Sequence, residues 1–163
     1  MEVRLYPNWD KIKNFHNPLT NGEERLVHFL DDTLPKEWMI FVQPYLNGSR
    51  PDLIIFNPQI GAMIWEVKDW NLDSYYWKNE DLYVRDGRGS HKISSPKKQV
   101  DYYKIKIISR LVPVLGEAVD ANPKAFGIIK TGIYFHKTSG DAARSFFNNP
   151  KYPIIIGYDD LVD

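Results

Sequence analysis

Arg-Pro-Asp-Leu-Ile-Ile-Phe-Asn-Pro-Gln-Ile-Gly-Ala-Met-Ile-Trp-Glu-Val-Lys-Asp-Trp, residues 50–70, holds two apolar runs interrupted by Asp52, Glu66 and Lys68. Asp52 opens a strand-like segment through Phe56, Asn57 to Gly61 carry turn chemistry, and Ala62 to Val67 read as a second strand. The pattern is a β-hairpin. Side chains alternate faces along a strand, so Ala62, Ile64, Glu66 and Lys68 share one side while Met63, Trp65 and Val67 take the other. If Phe56 pairs with Ala62 across the turn, the same register sets Asp52 opposite Glu66. A slip of one residue would separate them. Facing carboxylates destabilise a sheet, and an unpaired buried one costs more, so the arrangement calls for a cation. Lys68 is one candidate and a divalent metal is another. Hard ions such as Mg²⁺ take oxygen ligands, commonly one or two carboxylates with waters and substrate phosphates.

The rest of the chain sets the outer limits. With 163 residues, 43% of them hydrophobic, residues 1–163 suit a single globular domain with a sizeable core, introduced by an extended lead-in over 1–19. No cysteine is present, which excludes disulfides, thiolate metal sites and thiol nucleophiles together. The first residues, Met-Glu-Val-Arg-Leu-Tyr-Pro, hold no signal-peptide core. No apolar run approaches the roughly 20 residues that span a bilayer, so a soluble, cytoplasmic protein without membrane contacts is expected. Asn47-Gly48-Ser49 matches a glycosylation sequon but, with no secretion signal, reads as a turn.

Formal net charge is zero, yet it is unevenly spread. Arg85 to Arg110 carries eight Lys or Arg against Asp86 and Asp101, a local excess of six positive charges that the remainder balances. A basic segment beside an acidic cluster suits a nucleic-acid backbone held over a metal site, and a solvated helix face accounts for the charges equally well.

In chain order, Thr20 or Asn21 can cap a helix running from about Gly22 to Leu34, which Pro35 ends. Leu26, Val27, Leu30 and Leu34 form its apolar stripe, and Glu23 falls on that inward stripe whereas Glu24, His28 and Asp31 point to water. A glutamate in a first helical turn is ordinarily there for the helix dipole, and its inward position equally supports a role in a site. Trp38 to Val42 is a strand before the hairpin. Tyr75 to Trp77 and Leu82 to Val84 form a second, small hairpin followed by a glycine-containing loop through Ser90. Its aromatic residues either pack the sheet or stack bases. Ser95-Pro96 opens a helix with an N1 proline, an inward stripe at Val100, Tyr103, Ile107 and Leu111, and an end or kink at Pro113. Gln99 lies in its first turn at the edge of the stripe. Ala125 to Phe135 is a central strand, Ser139 to Phe147 a short helix, and Ile154 to Ile156 a last strand before Asp159-Asp160-Leu161. The order α-β-β-β-α-β-α-β describes a mixed α/β sheet flanked by helices.

Pro51-Asp52 and Glu66-Val67-Lys68 on a hairpin, preceded by a helix with Gly22-Glu23 and followed by one with Pro96-Lys97-Lys98-Gln99, resemble the PD-(D/E)xK nuclease superfamily. More narrowly, the chain from about Gly22 to Leu161, closing Asp-Asp-Leu included, is similar to a NERD (nuclease-related) domain. The resemblance implies a restriction-endonuclease-like fold with an α-β-β-β-α-β core. It implies a metal-dependent phosphodiesterase with Asp52 and Glu66 as metal ligands, Lys68 as the catalytic lysine, and Glu23 and Gln99 in supporting positions. It further implies DNA as partner, RNA remaining open, and a helicase module often joined to such domains in a longer polypeptide. Asp69 stands where members often carry glycine, and it is an available ion-pair partner for Lys68.

The residue types suit that chemistry by themselves. Phosphodiester hydrolysis needs an activated water, in-line positioning and cations for the transition-state charge. Asp52, Glu66 and the Val67 carbonyl would hold Mg²⁺ or Mn²⁺, and Lys68 would orient the water or neutralise charge. Gln99 would position the water or Lys68, and Glu23 would hold a second ion through water. Lys97, Lys98 and Lys104 are the candidate phosphate contacts. Ser94-Ser95-Pro96-Lys97 and Lys130-Thr131-Gly132 echo penicillin-binding enzymes, but no Ser-Asp-Asn element accompanies them and the chain is too short for that fold. Histidines 16, 28, 91 and 136 lack ligand spacing for zinc, and no Walker A motif is present. Two other classes stay open beside the nuclease: a non-catalytic nucleic-acid-binding module of the same fold, and an interaction domain using its aromatic surface.

Overall fold

The computed structural model describes residues 4–111, 127–148 and 151–162. The hairpin forms in the expected register: strand β3 (Leu53–Asn57) pairs antiparallel with β4 (Gly61–Lys68), Phe56 facing Ala62 and Leu53 facing Trp65. Turn geometry fixes this register. Asn57 Oδ1 accepts from the Gln59 N–H, and Gly61 adopts a positive φ of 131° where a side chain would strike the Ile128 carbonyl.

The sheet grows outward on both sides. Strand β2 (Met39–Val42) pairs antiparallel with β3, and β1 (Leu5–Tyr6) adds parallel to β2. On the other side β8 (Ile129–Phe135) runs parallel to β4, and β9 (Ile154–Gly157) runs parallel to β8. The strand order is β1-β2-β3-β4-β8-β9, which places β4 at the centre of a six-stranded mixed sheet. The expected start of the central strand at Ala125, the helix end at Pro113 and the Leu111 side chain lie outside the described residues.

An extended lead-in is expected for residues 1–19; within the described residues 4–19, β1 and helix α1 (Trp9–Ile12) stand in its place. Asn8 caps α1, and Leu5 and Ile12 are buried, so the segment packs on the main core and does not trail from it. Helix α2 (Asn21–Thr33) covers one face of the sheet with Leu26, Val27 and Leu30 against Ile40, Leu53, Trp65 and Val67. Its Asp31 differs from expectation: the carboxylate accepts from Arg4 Nε and the Trp9 indole, both at 3.2 Å, which pins the lead-in to α2. Helix α3 (Pro96–Lys106), N-capped by Ser95, covers the opposite face, with Val100 fully buried. The chain then continues as a π-helical turn over Ile107–Leu111. Helix α4 (Gly140–Phe146) packs beside β9, and Asp159 and Asp160 accept from the Gly140 and Gly157 amides, so the closing acids act as clamps on this corner.

Between β4 and α3 sits a three-stranded antiparallel sheet, β5 (Tyr75–Lys78), β6 (Asp81–Asp86) and β7 (Gly89–Ile93). A loop was expected through Ser90. Instead Gly89, with φ of 109°, closes a tight turn after Asp86, and a third strand pairs back. Leu82 is buried beneath this sheet, and Trp77 packs against Phe146 and Phe147.

One contact fixes how α2 meets β4. A Cβ at Gly22 would collide with the Asp69 carboxylate and come within 2.9 Å of both Val67 Cγ1 and His136 Cβ. Gly22→Ala is therefore predicted to destabilise the domain by about 1–3 kcal/mol, as overpacking does. Thermal unfolding checks this, and a variant that melts like wild type would show that the helix start can shift without cost.

Candidate active site

Strand alternation delivers the first three side chains. Asp52 precedes β3, and Glu66 and Lys68 stand two residues apart on β4, facing α3. Asp52 Oδ2 accepts from the Val67 N–H at 2.7 Å, and Lys68 Nζ donates to Glu66 Oε1 at 2.6 Å. Proline explains the open ladder position here. Continuing the register sets Pro51 opposite Val67, and proline has no N–H to give the Val67 carbonyl. On the β3 side the ladder therefore offers that oxygen no N–H at position 51.

The helices bring the supporting residues. Gln99, in the first turn of α3, places Oε1 3.3 Å from Lys68 Nζ and gives its amide N–H to the Tyr103 hydroxyl at 3.2 Å. Residues four apart share a helix face, which is why Gln99 and Tyr103 approach the site together. Glu23 is 7% exposed and closes a capping box with Thr20: its Oε2 accepts from the Thr20 N–H at 2.9 Å, and the Thr20 hydroxyl accepts from the Glu23 N–H at 3.2 Å. The same carboxyl is close enough to Asp52 to help push its pKa up. Glu23 thus caps the start of its own helix while standing near Asp52.

Glu23, Asp52, Glu66, Lys68 and Gln99 converge, and the Val67 backbone lies among them. Lys97, Lys98 and Lys104 do not join them. Lys97 lines a cleft with Trp77 and Phe147, Lys98 lines another with Leu82 and Lys92, and Lys104 is half-buried, which lowers its ammonium pKa. Lys106, two turns along from Gln99, instead donates to the Asn47 carbonyl at 2.9 Å and the Ser49 hydroxyl at 2.7 Å.

Asp69 corrects one expectation. Its carboxylate accepts from the Gly22 N–H at 3.2 Å and from the Thr20 hydroxyl at 3.1 Å, so it caps α2 and turns away from Lys68. Lys68 keeps Glu66 and Gln99 as its partners, with the Trp70 ring 5.3 Å from Nζ.

Two site residues carry no motif. Gln43 has a positive φ of 45°, donates its backbone N–H to the Asp52 carbonyl at 2.8 Å, and reaches Glu23 Oε2 with its side chain at 3.3 Å. A non-glycine residue in that conformation is sustained by its surroundings and is commonly functional. The Tyr103 hydroxyl lies 3.5 Å from the Arg50 carbonyl and so ties α3 to the start of the hairpin.

Charge here is out of balance. Burial, then Glu66, then Glu23 push the Asp52 carboxyl up to about 8, against the Val67 N–H that pulls it down. Burial also raises Glu66, opposed by Lys68. Glu66 is 2% exposed, and its Oε2 is buried with no hydrogen-bond partner among the described residues. Three carboxyls lie near one ammonium, and one of their oxygens, Glu66 Oε2, is left without a partner among the described residues. Among the described residues no group of three or more His, Cys, Asp or Glu side chains is placed to hold a metal ion by itself. Two carboxylates and a backbone oxygen are donor types that a hard cation accepts.

The model of the nuclease-related domain family matches residues 19–131. The chain belongs to the nuclease-related domain family. The match takes in the hairpin and both flanking helices, every one of the converging residues included. No curated protein and no solved structure matches the chain. Among the described residues no helix is long and apolar enough to cross a membrane.

A raised carboxyl pKa sets the sign of a pH effect. Between about pH 4 and about 8, folded Asp52 keeps a proton that the unfolded chain has released, so the metal-free domain loses stability as pH rises through that window. Asp52→Asn is predicted to flatten this slope and to melt higher than wild type at pH 8. A gain of about 1 kcal/mol corresponds to about 2–4 °C in a domain of this size. The stabilisation that millimolar Mn²⁺ gives wild type should shrink in the variant. Melts from pH 5 to 9, with and without Mn²⁺, decide it: a variant that melts lower yet shifts equally would remove the metal site.

Proposed function

We propose that this nuclease-related domain is a Mg²⁺- or Mn²⁺-dependent phosphodiesterase that cuts DNA, and that it works beside a helicase module. The observation that carries the reading is the group of Glu23, Asp52 and Glu66, two of them buried and one half-buried, in which Glu66 has Lys68 as its ion-pair partner among the described residues. The helicase pairing rests on the family resemblance. Asp52, Glu66 and the Val67 carbonyl would hold the ion, which when bound supplies charge neutralisation and a lowered pKa for water.

The chain's own residues account for the remaining requirements. Lys68 has three N–H donors, and Glu66 and Gln99 take two of them. The third can donate to a phosphate oxygen or to the attacking water. Gln99, braced by Tyr103, fixes where that ammonium stands. Water then attacks phosphorus in line and gives up one proton to solvent, the P–O bond to the leaving oxygen breaks, and the leaving oxygen takes up a proton from solvent. Val67 N–H and Gln43 hold Asp52 and Glu23 in place, so little reorganisation accompanies the reaction. Lys97, Lys98 and Lys104 would meet the backbone further along the strand.

Circular single-stranded and supercoiled DNA should both be informative substrates, with cleavage in Mg²⁺ or Mn²⁺ and none in chelator. Lys68→Ala is predicted to keep the Mn²⁺-induced thermal shift and to lose on the order of 10²-fold or more in rate. Wild-type cutting by this variant would make Lys68 a structural partner of Glu66. Replacing Lys97 and Lys98 by Ala should weaken duplex binding and reduce its log–log salt slope by about 0.9 per lost contact. An unchanged slope would move the binding surface elsewhere.

A further inference from the structure

Beside the carboxyl group lies a half-open cavity of about 360 Å³, whose walls include Tyr6, Phe15, His16, Phe41, Gln43 and Arg50. That volume falls at the lower end of small-ligand sites, roughly 300–1,000 Å³. One wall comes from β2 and the other from the lead-in, folded back through β1 and α1. The parallel register sets Tyr6 beside Phe41, and their rings stack at 5.2 Å with an interplanar angle of 18°. Tyr6 remains 39% exposed. The cavity adjoins the candidate site directly: Gln43 bonds Glu23 and Asp52, and Arg50 stands two residues before Asp52. Residues 4–18 lie outside the 19–131 match, so the lead-in wall is an addition to the region the family shares.

We propose that this cavity takes one unpaired nucleotide of a single-stranded DNA substrate, its base against the Tyr6–Phe41 pair and its phosphate at Arg50. The proposal rests on the nuclease reading and names the substrate class. Aromatic faces stack any base, and a guanidinium meets phosphate oxygens in a planar fork. The amide of Gln43 and the imidazole of His16 supply polar partners for a base edge. A base within a duplex shows only its groove edges, so a cavity of this shape admits a nucleotide only from unpaired or opened DNA. Arg50 is the cationic side chain on the cavity wall.

The test uses the full chain, a labelled oligothymidylate and a blunt duplex. Binding is read by anisotropy in chelator, and cleavage is read with Mn²⁺. Tyr6→Ala is expected to weaken single-strand binding by about 5- to 150-fold, the range for loss of one stacked base. Tyr6→Phe should retain it. Arg50→Gln should reduce the single-strand salt slope by about 0.7. KM for the single strand should rise in Tyr6→Ala with kcat held, and duplex binding should change less. Cleavage by wild type with unchanged single-strand binding in Tyr6→Ala and Arg50→Gln overturns the subsite and leaves the nuclease reading standing. Equal losses on single strand and duplex also overturn it. The expected losses in a protein that never cuts with either metal overturn the nuclease reading and leave the subsite. A wild type that binds no oligonucleotide overturns the subsite.

Discussion

A carboxylate removed from water destabilises a fold unless donors or a cation meet it, and this domain buries Glu23 at the start of α2 and Glu66 on β4, with the half-buried Asp52 beside them. Much of the local architecture answers that constraint. The Val67 N–H, freed from the ladder, turns to Asp52. Lys68 leans back along β4 to Glu66, and Thr20 and Gln43 converge on Glu23. Among the described residues these contacts leave Glu66 Oε2 unmet, an imbalance that marks a candidate site.

Each layer contributes one side of the arrangement. Helix α2 brings Glu23 by its first turn, and the turn is held by Asp69 reaching over from the end of β4. Helix α3 brings Gln99 from the opposite layer, and Tyr103 braces it against the start of the hairpin. The small β5–β7 sheet begins where β4 ends, and Trp70 bridges the two: its ring stacks on Tyr75 at 4.4 Å and lies near Lys68. The ammonium thus sits between an acid, an amide and an indole.

Sequence reading recovered what depends on period and order. Two-residue alternation fixed which side chains share a face of β4, turn chemistry at Asn57 to Gly61 fixed the register, and capping residues fixed the helix starts. The features that escaped it depend on where separate segments meet. Nothing local to Gln43 announces that it will adopt a left-handed conformation under Asp52, and Asp69 beside Lys68 in sequence points to a helix 47 residues away. The lead-in looked extended because its burial comes from Arg4, Trp9 and Asp31 meeting across 22 or more residues. Strand β7 was hidden by its polar composition: four of its five residues are exposed, so no hydrophobic alternation marks it.

The central place of β4 bears on how the domain opens. From Ala62 to Lys68 the strand is paired with β8, and on its other edge β3 covers it only as far as Trp65. Amides of a doubly flanked strand exchange with solvent only when the whole domain unfolds, whereas frayed edges exchange through small local openings. Val67 belongs to neither group. Its amide proton rests on a carboxylate rather than on a neighbouring strand, so its protection against deuterium measures how firmly Asp52 is held. A single backbone signal at residue 67 therefore reports on the acidic group continuously, in the resting protein and with no turnover taking place.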